Sequence, residues 1–139
     1  MTEGPDIAVT DTHAWIWWLT NQRRRVGRRA NAFFDRVDRG GAVVCISAMT
    51  LVELGEAIQS GRVSLAEPFP RFIERLELTP SRYRIVAVSA AIVLRAQELF
   101  AIPERGDRLI AATAAELGYP LITSDSAIAS AIGARRLWS

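Results

Sequence analysis

Four acidic side chains stand where the strands and helices of the chain are predicted to end or begin. Asp11 directly follows a short apolar run, and Asp125 follows another after two residues. Glu53 and Asp107 stand at the edges of apolar helical stretches. Sheets with parallel strands bind ligands outside the carboxyl ends of those strands. We therefore expect the four carboxylates to meet in one crevice.

Such a group of carboxylates has a definite chemistry. Like charges repel one another unless a proton or a cation lies between them. Hard oxygen donors without a cysteine or histidine pair select Mg²⁺ or Mn²⁺ over Zn²⁺. Such an ion can polarise a phosphoryl oxygen, generate hydroxide and orient an in-line attack. The residues thus indicate metal-assisted hydrolysis of a phosphodiester.

Each acid also has a structural interpretation. Asp107 and Asp125 stand at helix starts, where free amides and the helix dipole favour an acid. Asp11 fits an Asx-turn at a strand end. Glu53 fits a solvent-facing position, with Glu56 one turn further along. The catalytic interpretation rests on the joint pattern, since Glu53 and Asp107 both border apolar helix faces.

Several other chemistries are excluded. All 17 basic residues are arginine, so lysine-dependent sites such as a Schiff base, a Walker loop or a signalling receiver domain are absent. Cys45 is the single cysteine and reads as a small core residue, which excludes a disulfide framework. His13 is the single histidine, so paired-histidine cleavage of RNA is excluded. We expect His13 to be structural, packing beside the first helix.

The composition fits one globular domain. The chain has 139 residues, half of them hydrophobic, and no apolar run approaches the ~20 residues of a membrane span. Its acidic N-terminus lacks the basic-then-apolar order of a secretory signal. We therefore expect a cytoplasmic protein without a membrane partner, folded as one domain over residues 1–139.

The apolar pattern alternates between short β-branched runs and longer helical stretches, which predicts α/β/α layers around a mainly parallel sheet of four to five strands. Strands are predicted at 7–10, 42–46, 84–88, 120–123 and, at an edge, 135–138. Helices are predicted at 13–19, 26–37, 48–59, 68–78, 90–100, 107–117 and 126–132, with a loop at 102–106.

Four segments resemble PIN-domain proteins, and most nearly the VapC-type toxins of bacterial toxin–antitoxin pairs. They are VTDTHAWIWWL at 9–19, SAMTLVEL at 47–54, GDRLIAATA at 106–114 and LITSD at 121–125. The resemblance implies a Mg²⁺- or Mn²⁺-dependent endoribonuclease that hydrolyses RNA through metal-activated water. It also implies a homodimer and a VapB-type antitoxin whose C-terminal tail covers the acidic groove.

Carried over by position, the resemblance assigns roles to the acids. Asp11 and Asp107 would be the principal metal ligands, directly or through water. Glu53 and Asp125 would complete the cluster and help to position the attacking water, and Thr123 would form hydrogen bonds near them. One departure is the sequence PERG at 103–106, where many relatives carry Asp-Pro. The alternative function is an inactive PIN-like module that binds RNA or protein.

Two features leave alternatives open. Five arginines between positions 23 and 29 fit either a solvated helix start or a phosphate-binding patch. In a helix, Trp15 and Trp18 share one face while Trp17 points away from it. Trp17 therefore fits a dimer contact, an antitoxin contact or a stacking site for an RNA base, and we favour a contact with a protein partner.

Overall fold

The computed structural model describes residues 4–139; residues 1–3, part of the N-terminus considered above, lie outside the described residues. No helix within 4–139 is long and apolar enough to cross a membrane. The strands are β1 (Ile7–Thr10), β2 (Val43–Ser47), β3 (Tyr83–Val86), β4 (Leu121–Ile122) and β5 (Arg136–Leu137). The helices are α1 (Thr12–Leu19), α2 (Arg28–Asp38), α3 (Ala48–Gln59), α4 (Phe69–Glu77), α5 (Ala90–Gln97), α6 (Arg105–Leu117) and α7 (Ser126–Ala131), with a 3₁₀ turn at Arg23–Arg25.

The five strands form one sheet in the order β3-β2-β1-β4-β5. Every neighbouring pair is parallel, so all strands present their carboxyl ends at the same edge. The α/β fold with a parallel sheet is confirmed, and β5 is the edge strand that the sequence predicted.

Successive side chains of each strand point to opposite faces of the sheet, and hydrophobic residues cover both faces. Ala8 and Val44 point into a core with residues of α1, α2 and α4. Val9, Cys45 and Leu121 point into a second core with residues of α6. Cys45 is fully buried, as expected of a core residue, and burial raises the pKa of its thiol.

Local signals predicted most element ends correctly. The Ser47 hydroxyl accepts from the Met49 amide and caps α3, and the Ser89 hydroxyl accepts from the Ile92 amide and caps α5. Gly118 ends α6 in the left-handed conformation, with φ of 73°.

Three helix boundaries differ from the prediction by two or more residues. The second helix begins at Arg28 rather than at 26, because Val26 is extended after the 3₁₀ turn. Helix α5 ends at Gln97 rather than near 100. Helix α6 begins at Arg105, within the expected loop 102–106, because the extended residue before it is Glu104. Asp107 is therefore the third residue of its helix rather than the first.

Candidate functional site

Asp11 lies at the carboxyl end of β1, in the middle of the sheet. Its amide donates to the Ile122 carbonyl (2.9 Å), which fixes it beside the end of β4. Its carboxylate accepts from the Ala14 amide (2.8 Å) and thereby caps α1. The Thr123 hydroxyl also hydrogen-bonds the Asp11 carboxylate. Asp11 is thus an N-cap as well as a candidate ligand.

Thr123 is buried between two of the candidate acids. Besides its bond to Asp11, its hydroxyl accepts from the Asp125 amide (3.1 Å). The Asp125 carboxylate accepts from the Ala127 amide (2.9 Å) and caps α7, as the structural interpretation of this residue expects. The resemblance assigned a hydrogen-bonding role to Thr123, and its two contacts are of that kind.

Glu53 is held between two helices and does not face open solvent. The Thr12 hydroxyl at the start of α1 donates to Glu53 Oε1 and lies 3.2 Å from the Thr50 hydroxyl. A Cβ added at Gly106, in the first turn of α6, would overlap Glu53 Oε2. The solvent-facing interpretation of Glu53 is therefore wrong, whereas Glu56 is exposed and outside the site.

Asp107 and Asp11 influence each other electrostatically. Burial is the main cause that raises the pKa of each carboxyl. The negative charge of Asp107 further raises the pKa of Asp11, while Glu104 and Asp125 further raise that of Asp107. The negative charge of Asp107 thus acts on Asp11, and that of Asp125 acts on Asp107, and a cation near them would relieve this repulsion.

The residues fit a divalent cation by chemistry but are not pre-arranged around one. Their donors are hard carboxylate oxygens, of the type that Mg²⁺ and Mn²⁺ take. Within residues 4–139, however, no three Asp, Glu, His or Cys side chains are grouped closely enough to hold an ion as they stand.

His13 is exposed near the acids, on the surface side of α1. Its positive charge lowers the pKa of both Asp11 and Asp107, which places it beside the crevice. Its ring centroid lies 6.1 Å from that of Trp17. His13 is a residue of the first helix itself and lies at the surface, rather than packing beside that helix as a structural residue.

Sequence reasoning missed three residues that support these acids: Thr12, Gly106 and Arg136. The Arg136 guanidinium donates to the carbonyls of Thr123 and Ser124 (both 3.0 Å) and so fixes the end of β4. Thr12 follows Asp11 directly, and Gly106 precedes Asp107. For Thr12 and Gly106, adjacency to a candidate acid was the only signal in the sequence; Arg136 had no such signal.

A family model of the PIN domain matches residues 8–133. The chain belongs to the PIN-domain family. This PIN domain is 27% identical over 124 residues to ribonuclease VapC22 of Mycobacterium tuberculosis, covering 88% of this chain and 89% of the relative. The resemblance drawn from the four sequence segments is thereby confirmed.

Solved structures share the fold of this PIN domain. VapBC2 from Rickettsia felis, bound to a DNA fragment from its promoter, has a TM-score of 0.66 and 18% identity, covering 96% of this chain and 99% of that chain. DNA-bound VapBC from Salmonella typhimurium has a TM-score of 0.60 and 23% identity, covering 93% and 95%. At these identities the likeness concerns the fold.

The raised pKa of Asp11 predicts how stability depends on pH. A raised carboxyl pKa means that the folded state binds the proton more tightly, so the stabilisation is present at low pH and lost as pH rises through the folded pKa. In EDTA, we expect the Tm of Asp11→Asn to exceed that of the parent by an amount that grows as the pH rises above the ordinary carboxyl pKa of about 4. The asparagine keeps a side-chain oxygen that can cap α1.

Thermal melts across this pH range would measure the difference, with Glu74→Gln, at an exposed position on α4, as the matched control. A Tm difference between Asp11→Asn and the parent that does not change with pH would contradict the burial of a charged Asp11.

Proposed function

We propose that this PIN domain is a metal-dependent endoribonuclease and the toxin of a toxin–antitoxin pair. The observation that carries the proposal is the position of two acids: Asp11 directly follows the central strand β1, and Asp107 lies in the first turn of α6, where its charge acts on the Asp11 carboxyl. Buried carboxylates whose pKa values are raised by neighbouring charges are typical of functional sites. The similarity to a ribonuclease of the same family supports the reaction class.

In this proposal Asp11 and Asp107 hold Mg²⁺ or Mn²⁺, with Glu53 and Asp125 as the outer acids. When bound, the ion supplies charge neutralisation at the phosphate and lowers the pKa of the attacking water. Glu53 would orient the attacking water, and Thr12 fixes the direction of the Glu53 carboxylate. Asp125 adds negative charge on the β4 side of the crevice.

An inactive binding module is the second candidate, favoured by the absence of a preformed metal group within residues 4–139. Two observations weigh against it. The acids of the crevice repel the phosphates of a bound RNA unless a cation is present. In addition, buried carboxylates of like charge destabilise the fold, and a module that only binds has no need of such a group of acids.

Cleavage assays separate the two candidates. We expect the purified protein to cut structured RNA with Mg²⁺ or Mn²⁺ and to stop in EDTA. Asp107→Asn should reduce turnover by at least about 100-fold while the protein stays folded, because it removes a proposed ligand charge. Glu74→Gln should cut like the parent. An Asp107→Asn protein with parental turnover would show that the site is assigned wrongly.

The Thr12 hydroxyl predicts a second effect on turnover. Thr12→Val keeps the shape of the side chain but removes the donor to Glu53, so we expect turnover to fall about 10-fold, as for residues that orient a catalytic group. Thr12→Ser retains the hydroxyl and should stay near the parent. Equal turnover of the Val and Ser variants, measured on the same RNA, would exclude this positioning role.

A VapB-type antitoxin is the proposed partner, with its tail over the acidic crevice. The VapBC structures from Rickettsia felis and Salmonella typhimurium, whose fold this chain shares, support a partner of this type.

A homodimer is also proposed, and the surface around α5 supports it. Leu94 is 67% exposed and Phe100 84% exposed, beside a groove of about 520 Å³ between α5 and α6. Exposed apolar side chains that lie together around a groove are typical of interaction surfaces, whereas a single exposed one is not. Exposed Glu98 and Arg105 stand on either side of Phe100 in the sequence and carry opposite charges. In a two-fold contact, Glu98 of each copy can face Arg105 of the other.

Phe100→Asp should therefore shift the protein from dimer to monomer, because it places a charge in the proposed contact. Light scattering after size-exclusion chromatography would measure the mass. Leu78→Asp is the matched control, since Leu78 is 75% exposed at the end of α4, and it should leave the mass unchanged. A monomeric parent, or a Phe100→Asp dimer, would contradict the proposed interface.

A further inference from the structure

One side of α1 carries a row of rings and a guanidinium, which we call the aromatic ridge. It consists of His13, Trp17, Trp138 and Arg25. The ring centroids of Trp17 and Trp138 lie 6.4 Å apart, and those of Trp17 and His13 lie 6.1 Å apart. The Arg25 guanidinium lies 4.8 Å from the Trp17 ring centroid. His13 and Arg25 are exposed, and both tryptophans are partly exposed.

The aromatic ridge starts at the acidic crevice. His13 is the second residue of α1, the helix that the Asp11 carboxylate caps. Trp138 directly follows β5 and so lies at the same edge of the sheet as Asp11 and Asp125. The ridge therefore extends from the crevice on the β5 side.

Arginines beside the aromatic ridge have their charges available. The side chains of Arg24, Arg28 and Arg29 are exposed, and they make no hydrogen bond or ion pair with residues 4–139. Arg23 differs, because both oxygens of Asp35 accept from its guanidinium and it stacks over Trp18. Arg25 stacks on Trp17 and also donates to Gln22 Oε1 (3.2 Å), so two arginines of the cluster have side-chain partners and three have none within residues 4–139.

We infer that the aromatic ridge binds the single-stranded part of an RNA substrate next to the position that is cut. This inference rests on the proposed function. Bases stack on the rings of His13 and Trp17, since every base offers a π-face, and phosphates pair with Arg25 and its neighbours. The unpaired arginines favour RNA over a protein partner, because they can neutralise its phosphates. The acids of the site repel phosphate, so an RNA substrate needs such positive charge beside them.

The test measures binding separately from cleavage. In an Asp107→Asn background with Mg²⁺, the probe is a fluorescein-labelled single-stranded RNA of about 12 nucleotides, with its duplex as comparison. We expect Trp17→Leu and Arg25→Gln each to raise Kd about tenfold, and the duplex to bind more weakly than the single strand. Arg71→Gln, at an exposed position on α4, is the matched control and should bind like its parent.

With Asp107 intact, the same substitutions should raise KM about tenfold and leave kcat unchanged, because they remove binding and not chemistry. Thermal melts check folding. Arg25→Gln keeps the test decisive if Trp17→Leu fails to fold, since Arg25 is exposed.

Three results would overturn the inference. If the parent cuts RNA and the ridge variants bind and cut like it, the ridge is wrong and the proposed function stands. If the parent neither binds nor cuts RNA, both fail together. If the variants change the mass of the protein in solution but not its RNA affinity, the ridge is a protein interface.

Discussion

The parallel pairing of β1 with β2 on one side and β4 on the other is the constraint on which the site depends. Because both pairs are parallel, the residues that follow β1, β2 and β4 emerge at one edge of the sheet. The hydrogen bond from the Asp11 amide to the Ile122 carbonyl extends this pairing by one residue. It places Asp11 beside Thr123, and Thr123 then orients Asp125.

The same edge gathers negative charge that the fold must tolerate. Burial raises the pKa of Asp11 and Asp107, so their ionised forms cost stability at neutral pH. The Ala14 amide and the Thr123 hydroxyl offset part of this cost at Asp11. Functional sites commonly retain such locally unfavourable arrangements because a ligand relieves them.

The surfaces proposed for RNA and for a second copy belong to different parts of the fold. The aromatic ridge includes Trp138, which follows the edge strand β5. The apolar surface around Phe100 follows α5, which comes after β3 at the other edge of the sheet. One copy can therefore hold RNA on the β5 side while a second copy covers the α5 surface.

The sequence by itself determined the elements, the family and the positions of the acids. Strand periodicity, the caps Ser47 and Ser89 and the stop at Gly118 are local signals, and each predicted its element within a few residues. Asp11 and Asp125 were found at strand ends for the same reason. The segments that resemble PIN domains could be read without any knowledge of contacts.

Only the tertiary structure decided how the acids are supported. Thr12 and Glu53 are 41 residues apart, and no local pattern predicts that their side chains bond. Gly106 lies against the Glu53 carboxylate of another helix, so a larger residue there would displace that side chain. The ring of Trp17 likewise lies beside that of Trp138, which is far from it along the chain. Such contacts depend on how elements pack, whereas periodicity and capping report only on neighbours along the chain.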